Sequence, residues 1–312
     1  MYAIEVHNLT KQFKDVQAVD GISFQVEHGE LFGFLGVNGA GKSTTINMLC
    51  TLFPQTNGTA HIYSEELGKN DDQIRKLIGV VYQKDCLDEL LSVKDNLMIR
   101  GAMYESDRRK LKMQLQHVCQ ILDLKDILSR PFGKLSGGQK RRCEIARALM
   151  HAPKILFLDE PTTGLDPATR KIVWSCIDTL RKEFNMTVFL TTHYMEEAAK
   201  ANHIAIIDHG KIKEFGSPYE LKSKFASDQL LAYPKIEADL LDYLRINQID
   251  HQLKDGVVMI PLSQTLEAIP LLNQLEPYLL DFEVVQGTMD DVFLNVTGKS
   301  LGLEDSTCLS SI

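Results

Sequence analysis

The nine residues GVNGAGKST, Gly36 to Thr44, constrain this chain more than any others. They fit the pattern GxxxxGK[ST] in full, and their flanks are right for it. The apolar run LFGFL leads in at Leu31–Leu35, and STTINMLCTL leads out with Ile46, Leu49 and Cys50 on one helical side and Pro54 beyond. A strand, a glycine loop and a helix in that order make a phosphate cradle. Gly36, Gly39 and Gly41 let the backbone wrap phosphate oxygens with N–H groups. The start of the helix adds partial positive charge. Lys42 is spaced to reach β- and γ-phosphates, and the Ser43 hydroxyl to bind Mg²⁺.

Such a loop needs an acidic partner for Mg²⁺ on a neighbouring strand. KILFLDE supplies Asp159 at the end of an apolar run, where sites in such sheets lie. Glu160 follows it and suits a general base for an attacking water. Adjacent carboxylates at a strand end are also compatible with a solvated turn.

The other apolar runs, TVFLTTH (Thr187–His193) and HIAIID (His203–Asp208), are short and continuous, as in strands buried on both faces of a largely parallel sheet. YAIEVHNLT and AVDGISFQVEHGE alternate instead, which predicts an antiparallel N-terminal sheet. The middle, about 88–134, reads as a helical insertion. EFGSPYEL predicts a turn and a last helix to about Phe225, closing a first domain over 1–225. From 226 to 299 the pattern changes to a small α+β domain. It has strands at GVVMIP and DFEVVQG and helices at EADLLDYLRI, QTLEAIPLLNQL and TMDDVFLNVT. The end, 300–312, is expected to be disordered.

Bulk properties exclude several classes. No apolar run approaches the roughly 20 residues of a membrane-spanning helix, and MYAIEVHNLTKQF lacks the apolar core of a secretory signal. The net charge of −8 disfavours nucleic acid as the main partner. The six cysteines form no CxxC pair, which suits reduced thiols in a cytosolic protein better than disulfides or zinc.

A second glycine loop, LSGGQ at Leu135–Gln139, has no lysine placed like that of the first. Ser136 is a good N-cap for the amphipathic GGQKRRCEIARALM, with Cys143, Ala146 and Met150 on one stripe. Alone, it reads equally as an anion site or as an ordinary cap.

GVNGAGKST, LSGGQ, ILFLDEP, TTGLD and TTH, in this order, resemble the nucleotide-binding subunit of ABC transporters over roughly 1–225. The resemblance implies an ATPase of the α/β P-loop NTPase fold. It implies that two copies pack head to tail, each ATP lying between one chain's Gly36–Thr44 loop, with Asn38, Ala40 and Thr44 completing it, and the other chain's Ser136, Gly137, Gly138 and Gln139. Phe13 matches the aromatic that stacks on adenine, where the family more often has Tyr. Gln83 matches a glutamine that contacts Mg²⁺ or water and links the site to the membrane subunit. Asp166 matches the loop that signals across the dimer, and His193 the switch histidine that touches the γ-phosphate. Val37 stands where a proline is common, and Cys143 where an aliphatic residue is usual.

TMDDVFLNVTG resembles the closing pattern of exporter ATPases of the bacterial drug, antibiotic and lipid type. The implied partner is a separately encoded integral membrane permease. The implied location is the cytoplasmic face of the plasma membrane. A soluble relative acting on ribosomes or DNA is the alternative, but ribosome-acting relatives usually carry two such domains and DNA-repair relatives long coiled coils. A regulator that does not hydrolyse needs a defective site, whereas Lys42, Ser43, Asp159, Glu160 and His193 are all present.

Overall fold

The alternating N-terminal runs become two long strands, β1 (Tyr2–Phe13) and β2 (Val16–Glu27), paired antiparallel. The chain is described here from a computed structural model over residues 1–298, so the expectation for 300–312 lies outside the described residues. Two compact units divide between Phe215 and Gly216.

In the first unit, β3 (Leu31–Leu35) enters the phosphate loop and α1 (Lys42–Leu49) leaves it. Then follow β4 (Asn57–Ile62), β5 (Glu65–Glu66), α2 (Asp71–Leu77) and β6 (Ile78–Val81). The helical insertion supplies α3 (Val93–Ala102) and α4 (Arg108–Ile121) before α5 (Gly137–Leu149). The unit closes with β7 (Ile155–Asp159), α6 (Pro167–Phe184), β8 (Thr187–Thr192), α7 (Met195–Ala198), β9 (His203–Asp208) and β10 (Lys211–Gly216).

One sheet has the order β2-β1-β4-β5 and the other β10-β9-β3-β8-β7-β6. In the second, β9, β3, β8, β7 and β6 run parallel. Every residue of β3 and β8 is buried, as a strand covered on both faces requires. Phe24 of β2 packs flat on Phe32 of β3 at 5.3 Å, and Phe34, Phe157 and Phe189 complete the cluster. The two sheets thus share one core, which holds the strand that feeds the phosphate loop.

The second unit contains α8 (Pro218–Phe225), β11 (Asp228–Pro234), α9 (Glu237–Ile246), β12 (Gln252–Lys254), β13 (Val257–Leu262), α10 (Ala268–Leu275), β14 (Leu279–Val285) and α11 (Met289–Thr297). Its antiparallel sheet, ordered β12-β13-β11-β14, packs around Leu230, Leu240, Leu244, Val258 and Ile260. The sequence reading placed α8 in the first domain. It falls in the second unit because it lies against α11, where Asn295 donates to the Phe225 carbonyl at 2.7 Å.

Candidate functional site

The predicted residues gather because their strands are parallel neighbours. The phosphate loop follows β3, Gln83 follows β6, Asp159 ends β7 with Glu160 next, and His193 follows β8. In a parallel sheet all four C-terminal ends share one edge, the usual place for a ligand.

Two loop positions require glycine. Gly41 has φ 110°, and a Cβ there would lie 2.6 Å from the Ala18 carbonyl. A Cβ on Gly36 would lie 2.5 Å from the Ile207 carbonyl. Lys42 is buried, and its ammonium donates to the carbonyls of Gly36 (2.8 Å) and Val37 (3.1 Å). Burial lowers its pKa, against the opposing charges of Glu160 and Asp159. Ser43 Oγ lies 3.4 Å from Asp159 Oδ2, while Thr191 donates to Asp159 Oδ1 at 2.6 Å.

The Glu160 carboxylate is the meeting point. Its Oε2 accepts from Thr163 Oγ1 at 3.2 Å and Gln83 Nε2 at 3.4 Å, and lies 3.5 Å from His193 Nδ1. Lys42 Nζ approaches Oε1 at 3.9 Å. The hydrogen bond with His193 is the largest influence holding this carboxyl below its ordinary range; burial raises it, and the Lys42 charge lowers it again. Glu160 is therefore held towards its ionised form. Its backbone has φ 46°, a strained region for an L residue. The amide N–H, bonded to both the carbonyl and the hydroxyl of Thr191, helps hold it there.

The second glycine loop is an intact cap. Ser136 and Gln139 form a capping box at the start of α5, with bonds of 3.3 and 3.1 Å. Among the described residues, no hydrogen bond joins it to the chain's own phosphate loop. Gly138 lies against Thr169 of α6 instead. Asp166 caps α6, accepting from Ala168 N and Thr169 N at 3.0 Å each, and the Thr169 hydroxyl is the main cause of its lowered pKa. Phe13 is 41% exposed, so it is no core aromatic. Its ring edge meets Phe53 at 5.9 Å.

Sequence reasoning missed Thr191 and Thr163, which fix the two carboxylates. A polar residue inside the apolar run VFLTTH was the available signal for Thr191. It also missed Arg141 and Glu144, charged residues on the buried side of α5.

A phosphate loop, an Asp-Glu pair, a glutamine and a histidine on one edge of a mostly parallel sheet define a nucleotide-hydrolysing P-loop cassette. The family described as ABC transporter matches residues 19–163. The daunorubicin/doxorubicin resistance ATP-binding protein DrrA of Streptomyces peucetius is 35% identical over 95% of this chain and 92% of its own length. The linearmycin resistance ATP-binding protein LnrL of Bacillus subtilis is 33% identical over 96% and 99%. A dimeric post-hydrolysis structure of the ATP-binding cassette MJ0796, bound to ADP and Pi, superposes with TM-score 0.62 at 25% identity, covering 69% of this chain and 98% of that one. The chain belongs to the ABC transporter family as an ATP-binding subunit, and it is an ATPase. Among the described residues no helix is long and apolar enough to cross a membrane.

Proposed function

We propose that this chain hydrolyses ATP at the edge centred on Glu160 and drives a separate permease that exports drug-, antibiotic-, peptide- or lipid-like molecules. One observation carries the chemical part: Lys42 at the start of α1, Gln83 after β6 and His193 after β8 converge on the Glu160 carboxylate that follows β7. ATP phosphates lie in the Gly36–Thr44 loop, and Lys42 turns from the loop carbonyls to the β- and γ-phosphates. The Ser43 hydroxyl, the Asp159 carboxylate and the Gln83 amide are hard oxygen donors that suit Mg²⁺. Mg²⁺ supplies charge neutralisation at the phosphates. Glu160 takes the proton of the attacking water, and His193 steadies the γ-phosphate. Phe13 stacks on adenine with its exposed ring.

Two copies pair head to tail, so that Ser136–Gln139 of one meets the ATP held by the other, and Asp166 lies at the contact. Closure and reopening of the pair move the permease. The relatives named as daunorubicin and linearmycin resistance ATP-binding proteins support the drug and antibiotic class, and a subunit that drives a permease with ATP works at the cytoplasmic face of the membrane. We assign 1–215 to ATP handling and the unit from Gly216 onward to assembly. Affinity capture of the tagged chain from detergent-solubilised membranes tests the reading. A co-purifying multi-span protein is expected; ribosomal RNA or DNA in its place would overturn it.

A further inference from the structure

Arg141 and Glu144 lie about one turn apart on α5, and both are charged yet buried. Burying a charge is costly unless its hydrogen-bonding atoms are satisfied. Most of their partners are backbone groups of other segments. Arg141 donates Nη1 to the Tyr82 carbonyl (2.5 Å), Nε to the Pro161 carbonyl (2.5 Å) and Nη2 to the Asp159 carbonyl (3.4 Å). Glu144 Oε1 accepts from the amides of Cys86 (2.6 Å) and Leu87 (2.9 Å). Its Oε2 accepts from Arg147 Nε (2.7 Å), and Arg147 in turn donates to the Val80 carbonyl (2.6 Å).

These bonds bracket the chemistry. Tyr82 precedes Gln83, and Cys86 and Leu87 follow it closely. Asp159 and Pro161 stand on either side of Glu160. Burial lowers Arg141 only to about 10, so it remains a cation at neutral pH. Among the described residues, neither side chain bonds to the Gly36–Thr44 loop.

We propose that Arg141 and Glu144 are positioning residues for hydrolysis, setting from α5 the backbone on both sides of Gln83 and Glu160. The inference rests on the roles proposed for those two residues. It separates binding from chemistry, because the phosphate loop is built on β3 and α1. Misplacing a reacting group by about 1 Å can cost about 10²-fold in rate.

The test uses the full chain with Arg141→Gln, Arg141→Lys, Glu144→Gln and, as reference, Glu160→Gln. ATP affinity, kcat, KM and thermal stability are measured for each. Arg141→Gln is expected to lower kcat by about 10²-fold while ATP affinity stays at the wild-type level. Arg141→Lys is expected to recover part of the rate, since an ammonium can still donate to some of the three carbonyls. Glu144→Gln keeps an acceptor for Cys86 and Leu87 but loses the charge that holds Arg147. It is expected to lower kcat less and to speed hydrogen exchange at those two amides. Wild-type kcat in Arg141→Gln overturns the proposal. So does a fall in affinity and stability in step with kcat, which marks a purely structural role. If Arg141→Gln does not fold, Glu144→Gln decides by the same criteria, and misfolding of both also overturns it. Normal turnover in Glu160→Gln is a different failure, that of the site assignment itself.

Discussion

The Lys42 ammonium and the Glu160 carboxylate face each other at 3.9 Å, brought together from the start of α1 and the residue after β7. Each helps keep the other ionised, although burial works against both charges. Among the described residues, two carbonyls and two nearby carboxylates offset the desolvation of Lys42. Phosphate is a better partner, because it accepts charge-assisted hydrogen bonds.

Lys42→Ala should weaken ATP binding without weakening the fold. A hydrogen bond to a charged group is worth about 1.5–3 kcal/mol, so Kd should rise roughly ten- to a hundredfold. The lowered pKa of Lys42 means that folding disfavours its charged form. That cost is present at neutral pH and disappears as pH rises through the folded value towards the ordinary lysine value. Removing the charge therefore offsets the two lost carbonyl bonds, and the melting temperature should stay near wild type. ATP titration and thermal melts check both halves; unchanged affinity would sink the role given to Lys42.

Glu160→Gln should keep ATP affinity and lose about 10²–10⁴-fold in turnover, the range for a general base. A pH series adds a second reading. The carboxyl is held below its ordinary range, so its ionised form stabilises the fold above that range. The contribution fades as pH falls from the ordinary glutamate value through the lowered one. The stability difference between wild type and Glu160→Gln should change in that acidic window and be flat at neutral pH. A difference that titrates only near neutrality would contradict the assignment.

The φ of 46° at Glu160 gives a separate prediction. Gln keeps the strain and Gly relieves it. Glu160→Gly should therefore be more stable than Glu160→Gln by about 1 kcal/mol in denaturant unfolding, although both are inactive. Equal or lower stability of the Gly variant would show that the turn is not strained.

Most of this edge was legible in sequence because phosphate chemistry needs fixed residues at short spacing. Gly36 to Thr44 and Asp159–Glu160 are contiguous motifs, and continuous apolar runs revealed β3, β7 and β8. The convergence of Gln83 and His193 on Glu160 is tertiary and needed the family resemblance. Thr191, Arg141 and Glu144 escaped because their partners are mostly backbone atoms and carboxylates far away in the chain. β11 escaped because Leu230, Leu231, Ala232 and Tyr233 are all apolar or aromatic, so residue type hides the buried and half-buried alternation of the strand. The placement of α8 with the second unit depends on its neighbour α11, which is distant in sequence.

The second unit should be dispensable for ATP binding. Every proposed nucleotide residue lies before Gly216, whereas a cut near Ser227 would leave α8 without α11. A chain ending after Gly216 should fold, bind ATP as the full chain does, and lose or alter assembly with its permease. Equilibrium ATP binding and co-purification measure the two effects. A folded truncation that fails to bind ATP would place part of the site in the second unit.

The Ser136–Gln139 loop should act in trans. Gly138→Asp puts a carboxylate at the helix start that the proposed head-to-tail pair brings to a γ-phosphate, adding like-charge repulsion. It also crowds Thr169, because a Cβ at Gly138 falls against that side chain. Gly138→Ala isolates the steric part, so any further loss in the Asp variant reports charge. Removing one electrostatic donor of this kind costs about 10²–10³ in rate. The Asp variant should still load ATP on its own Lys42 loop, yet its homodimers should not turn over. Mixed with Lys42→Ala chains, it forms one site carrying both defects and one with both loops intact, so hydrolysis absent from either homodimer should return if one intact site suffices. Coupled sites would suppress that recovery, so geometry decides. One cysteine is placed beside Ser136 and another beside Gly39, with Cys86, half-buried among the described residues, and Cys308, outside them, both replaced. ATP should promote a disulfide between chains, seen as a dimer on a non-reducing gel. A bond formed only within single chains would overturn the head-to-tail arrangement.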